Sequence, residues 1–444
     1  MILLVISHAY SPTISPRAFR WSVITEYWAA ENHVVDVIAA WRPGLAREEA
    51  GAVNVHRVGF AAAEEFRDRL DNIATAHQQQ AGRTAASDLG GIKIHAASGL
   101  SAALKWVYGH TWKKIWWPDS SCRWYFPALR KATQLLSHRR HDAIITVSLP
   151  FTAHLVGLRV KRRFPSLKWL ADTGDPFSFL EKPDANNRRL YARLNRSFDG
   201  KVFHYADAVT VTTGETLSRY SDLFPDYAEK VSVVPPVMGE LQDTSARGRT
   251  FAADDVIRLV YMGRLYRDNR NPDFLLRLFD ELLKTDLAGK LELHFFGSSN
   301  DCKDILDQHR SLHGEKIFLH GSVSHHEAIR AMIDSDVLIN IGNATPYQLP
   351  SKVVEYVGTG KPILNLASHE RDTSAAFFSR YPSCLNLFHS VGSVKSEQVS
   401  EVVEFIKKRR SVGTTDLANF LHPYSVENVA GCYESILKGE KRIA

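Results

Sequence analysis

The chain has 444 residues, of which 44% are hydrophobic and 23% charged, and a formal net charge of +6. It is longer than the roughly 250–300 residues at which a single core stops growing, so two domains are expected, and the composition excludes a largely disordered chain. Cys122, Cys302, Cys384 and Cys432 lie far apart with no Cys-x-x-Cys pair. That excludes a zinc-finger or disulfide framework and predicts a reducing, cytoplasmic setting.

The apolar run after Met1 has no basic flank and reads as a buried first strand, not a signal peptide. No stretch reaches the ~18 apolar residues that a spanning helix needs. Strand 2–6, a turn-rich loop over 7–16, helix 17–30 and strand 34–39 set up a βαβ alternation and hence a parallel sheet. Residues 61–97 are polar and rich in Ala and Gln, as an insertion would be. Between Lys105 and Arg140 stand eight Lys or Arg against one acid, Asp119, with five of the nine tryptophans. This basic, Trp-rich segment, 101–140, predicts docking on an anionic membrane surface and argues against nucleic acid as the partner.

Alternation resumes with strand 143–147, helix 151–162, strand 168–171, helix 186–205, strand 208–212, helix 213–223 and strand 231–234. A linker poor in large apolar residues follows Pro235-Pro236. The second series runs through strands 257–262, 291–296, 317–320, 337–341 and 362–366, separated by helices 272–283, 301–309, 325–333 and 351–357. Terminal helices are expected within 416–437. The resulting expectation is α/β, with an N-terminal domain over 1–236, a second domain over 237–422 and a terminal segment over 423–444.

Ligands of open parallel sheets sit beyond the C-terminal strand ends, which directs attention to the loops there. After strand 257–262 come Gly263 and Arg264, then Arg267 and Arg270. A glycine lets the backbone approach a ligand, and an arginine fork suits a diphosphate. Gly297 follows strand 291–296. Asn343 opens the most informative stretch, which continues through Tyr347, Gln348, Leu349, Pro350, Ser351 and Lys352 to Glu355, Tyr356 and Gly360-Lys361-Pro362. A turn, a helix start and one carboxylate among apolar residues suit an anionic, hydroxyl-rich ligand. In the first domain, Asp172 and Asp175 lie on one loop, and Arg17 and Arg20 begin the first helix. Asp334-Ser335-Asp336 matches a metal-binding Asp-x-Asp, but its place between a helix and a strand marks a turn, so no metal site is assigned.

This C-terminal stretch resembles the donor site of retaining GT-B glycosyltransferases of the family 4 type, within the polysaccharide-biosynthesis subgroup. The loop Asp172-Thr-Gly-Asp175-Pro-Phe177, with the earlier Trp116-Trp117-Pro118-Asp119, is similar to that subgroup's acceptor-side signature. The resemblance implies two Rossmann-like parallel-sheet domains facing a cleft, with a C-terminal helix crossing back to the first. It implies a hexosyltransferase-type enzyme carrying a sugar from a nucleotide diphosphate donor to a saccharide acceptor, lipid-linked in cell-surface polysaccharide or glycoconjugate synthesis. The work would be done at the inner face of the cytoplasmic membrane, without metal or cofactor.

The implied catalytic residues are Arg264, Arg270 and Asp175. Donor contacts fall to Gly263, Arg264, Arg270, Gly297, Gln348, Leu349, Ser351, Lys352 and Glu355, and acceptor contacts to Asp172, Asp175, Arg17 and Trp117. Glu355 matches the second glutamate of the family's Glu-x7-Glu pattern; Tyr347 stands where the first belongs. That departure keeps two other readings open, a non-catalytic GT-B binding protein and a sugar-nucleotide epimerase.

Overall fold

The structure, a computed structural model, describes residues 1–13, 15–59, 116–180, 186–238, 249–350, 352–390 and 393–440. The insertion expected over 61–97 and the first half of the Trp-rich segment, Trp106, Trp112, Lys113 and Lys114 included, lie outside the described residues. The chain forms two compact units, one of Met1–Val234 with the chain from Val429, the other of Pro235–Asn428.

The first unit holds β1 (Ile2–Ser7), α1 (Pro16–Ala30), β2 (Val34–Ala40), β3 (Glu48–Glu49), β4 (Val53–Val58), α2 (Tyr125–His138), β5 (Ala143–Ser148), α3 (Thr152–Arg163), β6 (Lys168–Thr173), α4 (Arg188–Tyr205), β7 (Ala208–Val211), α5 (Gly214–Leu223) and β8 (Val231–Val233). Its eight strands run in the order β3-β4-β2-β1-β5-β6-β7-β8. All neighbours are parallel except β3 against β4. The unbroken apolar run Leu3–Ile6 has no exposed surface, as expected of a strand covered on both faces.

The second unit holds β9 (Ile257–Met262), α6 (Asp273–Leu282), β10 (Leu291–Phe296), α7 (Lys303–Asp307), β11 (Ile317–Gly321), α8 (His325–Asp334), β12 (Val337–Ile341), α9 (Lys352–Gly358), β13 (Ile363–Ala367), α10 (Thr373–Phe378), β14 (Cys384–Phe388), α11 (Ser396–Lys408) and α12 (Thr414–Leu421). Six strands in the order β11-β10-β9-β12-β13-β14 make an all-parallel sheet. Two cores cover its faces: Leu259 and Tyr261 enter one, Val260 and Met262 the other, following the period of two along β9.

Helix α13 (Val426–Lys438) brings the chain back to the first unit, where Val429, Ala430, Tyr433 and Leu437 are buried. Tyr433 packs 5.0 Å from Trp21 and 6.3 Å from Trp28 of α1, ring centroid to centroid. Its hydroxyl accepts from Arg20 Nη2 at 2.8 Å and donates to Asp172 Oδ1 at 2.8 Å. Without those polar partners a buried tyrosine in this place would be costly.

Candidate active site

The candidate donor site is built at the C-terminal ends of β9, β10 and β12. Gly297 sits with φ at 127°, and a Cβ on it would lie 2.0 Å from the carbonyl oxygen of Gly263. The two loops therefore touch backbone to backbone, and only glycine fits at Gly297. Gly263 N donates to Phe296 O at 2.8 Å, and Gly297 N donates to Gly321 O at 2.7 Å, so three strand ends are tied together. Arg264 leaves this knot exposed, and its guanidinium makes no hydrogen bond or ion pair to another of the described residues.

The three loop arginines have different fates. Arg267 Nη2 is held by Asp304 Oδ1 at 2.5 Å and Asp301 O at 3.0 Å, beside α7. Arg270 turns the other way and donates from Nε to Asn343 Oδ1 at 2.9 Å. Asn343, buried, is the hub of the site: its Nδ2 donates to Gln348 O at 2.9 Å, and its carbonyl oxygen lies 3.2 Å from His369 Nε2. Thr373 Oγ1 adds a second donor to Gln348 O at 2.6 Å, and Ala344 N reaches Asn269 Oδ1 at 2.8 Å. The loop that carries Gln348 and Leu349 is thus pinned from three sides. His369 lies outside every sequence motif, and Asn343, though it opens the most informative stretch, shows no role there, because an amide hub is visible only when its partners are in place.

Helix α9 packs Val353, Val354, Tyr356 and Val357 into the core and leaves Lys352 and Glu355 half-buried. Tyr356 anchors it to β9, its hydroxyl accepting from Met262 N at 2.8 Å. Ser351 lies outside the described residues. Glu355 Oε2 is buried and has no hydrogen-bond partner among the described residues. Burial holds the Lys352 ammonium below the usual lysine range, with Glu355 opposing that effect and Arg270 reinforcing it. Lys352, Glu355 and Arg270 therefore share one field at one end of the sheet.

The Asp-x-Asp stretch is elsewhere. Asp336, just before β12, accepts from Arg258 N at 2.9 Å, and Asp334 accepts from Thr250 N, both at the N-terminal end of the strands.

In the first unit the two loop carboxylates separate. Asp172 belongs to β6 and points inward, taking hydrogen bonds from Trp21 Nε1 (3.0 Å), Thr210 Oγ1 (2.8 Å) and Tyr433 OH (2.8 Å). Its oxygens are engaged inside the domain, which corrects the expectation that it faces an acceptor. Its position within the strand, not after it, was the available signal. Asp175 stays near the surface and pairs with Arg17 at 3.1 Å, their side chains 38% and 18% exposed. Gly174 lies flat against that guanidinium, since a Cβ there would fall 1.5 Å from Arg17 Nη1. Trp117 is half-buried, donating from Nε1 to Asn195 Oδ1 at 3.1 Å and meeting Phe198 edge-on at 4.6 Å. Arg20 is buried against Tyr433 and Val234 O, away from any ligand surface.

Solved structures share this architecture over the full length. Sucrose-phosphate synthase from Thermosynechococcus elongatus superposes with a TM-score of 0.65 at 13% identity, covering 99% of this chain and 98% of its own. The fold is GT-B. The catalytic domain of starch synthase IV from Arabidopsis thaliana, solved with ADP and acarbose, matches at 0.56 and 10% identity over 99% of both chains. UDP-GlcNAc 2-epimerase from Neisseria meningitidis, bound to UDP-GlcNAc, matches at 0.51 and 15% identity over 99% of this chain and 100% of its own. No family model matches the sequence, and no curated protein matches it either.

Proposed function

We propose that the chain is a retaining hexosyltransferase of the family 4 type that moves a sugar from a nucleotide diphosphate donor to a saccharide acceptor. The observation that carries this is Glu355 Oε2, without a hydrogen-bond partner among the described residues and buried beside Lys352 and Arg270 at the strand ends of a GT-B donor-type sheet. Asp199 Oδ1 and Asp372 Oδ2 are also buried without a partner among the described residues; what points Glu355 to a ligand hydroxyl, such as a ribose supplies, is its place beside Lys352 and Arg270 at the strand ends. Arg264, exposed directly after Gly263, and Arg270, held by Asn343, supply positive charge for the diphosphate. Gly297, after β10, keeps that loop's backbone open to the nucleotide, and Gln348 and Leu349, on the loop after β12, are further donor contacts, as is Ser351.

The chemistry follows from these charges. The anomeric C–O bond to the diphosphate breaks, the acceptor oxygen bonds to the same carbon from the same face, and its proton passes to the departing phosphate oxygen. Arg264 and Arg270 stabilise the charge that grows on that phosphate, a role that preorganised cations fill without a metal ion. Asp175, steered by Arg17, is the carboxylate for acceptor hydroxyls, and Trp117 is a further acceptor contact. The acceptor is a lipid-linked saccharide of cell-surface polysaccharide synthesis, reached at the inner face of the cytoplasmic membrane.

The test is a panel of nucleotide sugars read by thermal shift, followed by turnover with the one that binds. Arg264→Ala should leave binding measurable and reduce transfer by roughly a hundredfold or more. No shift with any nucleotide sugar would defeat the reading. Interconversion of two nucleotide sugars without transfer would assign the protein to epimerase chemistry instead.

A further inference from the structure

The second surface that asks for a ligand is on α4, in the first unit. This 18-residue helix carries Arg188, Arg189, Arg193, Arg196 and Lys201, and its one acid, Asp199, is buried. Arg189, Arg193 and Arg196 recur at intervals of four and three, and Leu190 and Leu194 run beside them, so cations and leucines share one exposed arc. Leu190 is 64% exposed and Leu194 39%. None of the three arginines pairs with a carboxylate among the described residues. Arg188 and Arg189 stand in the first turn with no acid there, a placement the helix dipole opposes. Fold stability gives no reason for such a face.

Its surroundings extend it. From Ser120 to Ala171 the chain has ten Lys or Arg and one acid, Asp142. Among them Arg130 of α2 and Arg159, Arg162 and Arg163 of α3 are exposed, and Phe126 at the start of α2 is 70% exposed. Trp117 ties the segment before α2 to α4 through Asn195 and Phe198. Two of the described tryptophans here, by contrast, are not presented outward: Trp124 is buried and Trp116 lies under Arg123.

We infer that α4, with Phe126 and the exposed arginines of α2 and α3, is a docking face for an anionic phospholipid surface. Cations draw the helix to the headgroups, and Leu190, Leu194 and Phe126 enter the interface between them. A nucleic acid or acidic protein answers the charge but leaves the interleaved leucines in water. The N-terminal end of α4 follows the loop that carries Asp175, at the strand ends of this unit, so a lipid-borne saccharide held at the face arrives beside Asp175 and Arg17. That last consequence rests on the transferase reading; the lipid binding does not.

The experiment is co-sedimentation of the full chain with phosphatidylcholine vesicles, with and without phosphatidylglycerol. Binding is expected only with the anionic lipid and should fall as salt rises. Arg189→Gln, Arg193→Gln and Arg196→Gln together should weaken partitioning roughly a hundredfold, at about fivefold per arginine. The three changes to Lys should retain most of it. Leu190→Ser with Leu194→Ser should remove the binding that survives at high salt. Each variant should melt with the wild type and keep its thermal shift with a nucleotide sugar, which separates failure here from failure at the donor site. Wild-type protein left in the supernatant at low salt overturns the inference. So does a triple glutamine variant that binds normally, loss of binding confined to changes at Lys113, Lys114 and Arg123, or tighter binding to a short DNA duplex than to anionic vesicles.

Discussion

Changing Glu355 to Gln separates a ligand-binding carboxylate from a structural one. Because Oε2 has no partner among the described residues, the substitution breaks no hydrogen bond at that atom in the free protein. It also removes a partly buried negative charge that favours the Lys352 ammonium. The melting temperature should therefore change little, by the equivalent of less than about 1 kcal/mol. With donor bound the balance is different. A hydrogen bond from a ligand hydroxyl to a charged carboxylate is worth about 1.5–3 kcal/mol, so donor affinity should weaken roughly 10- to 150-fold. Isothermal titration of the nucleoside diphosphate and of the intact nucleotide sugar, against thermal melts of the same preparations, measures both quantities. Equal affinity in Glu355→Gln and wild type would refute the reasoning. So would a loss of stability as large as the loss of affinity, which would make Glu355 part of the core.

Asp199 is fully buried with its carboxyl pushed up from 3.8 to about 6, chiefly by desolvation. The folded form holds a proton that the unfolded chain has already released, so stability should fall by roughly 3 kcal/mol as pH rises from about 4 through 6; Asp199→Asn should abolish that slope in denaturant titrations at several pH values. Tyr433→Phe keeps the ring between Trp21 and Trp28 but removes the hydroxyl from Arg20 and Asp172, and should destabilise the first unit by about 2–3 kcal/mol in a thermal melt. Sugar transfer should persist in EDTA, since Arg264 and Arg270 carry the positive charge; activity restored only by Mn²⁺ or Mg²⁺ would return Asp334 and Asp336 to consideration.

The strands that declared themselves in the sequence are those buried on both faces. Ile2–Ser7, Ile257–Met262 and Val337–Ile341 are mostly apolar runs, broken only by Ser7, Arg258 and Asn340, and each is a strand of a parallel sheet. Val53–Val58 escaped notice because His56 and Arg57 interrupt its pattern, each answering an ion pair that the sequence does not announce: His56 with Glu48 and Asp36, Arg57 with Glu49. Cys384–Phe388 is a short edge strand of five residues, and helix α11 follows it; neither is among the predicted elements, although each has an apolar pattern.

The candidate site divides in the same way. Arg264, Lys352 and Glu355 stand where the sequence places them, Arg264 just after β9 and Lys352 and Glu355 in the first turn of α9. Arg270 and Arg267 differ in their tertiary partners, Asn343 for one and Asp304 for the other, and no local pattern announces either. The inward turn of Asp172 likewise depends on Trp21, Thr210 and Tyr433, residues up to 261 positions away.

The seat of Tyr433 against Trp21 and Trp28 also sets an order of events during synthesis. The aromatic surface of α1 and the Asp172 carboxylate are made early, yet their cover is translated only after the whole second unit. At about 5–20 residues per second, that leaves the first unit incomplete on the ribosome for roughly 10 to 40 seconds while the second, uninterrupted in sequence, is free to finish. The first unit to be made is therefore the last to close, and for that interval two tryptophans and a buried carboxylate are exposed to whatever the nascent chain meets.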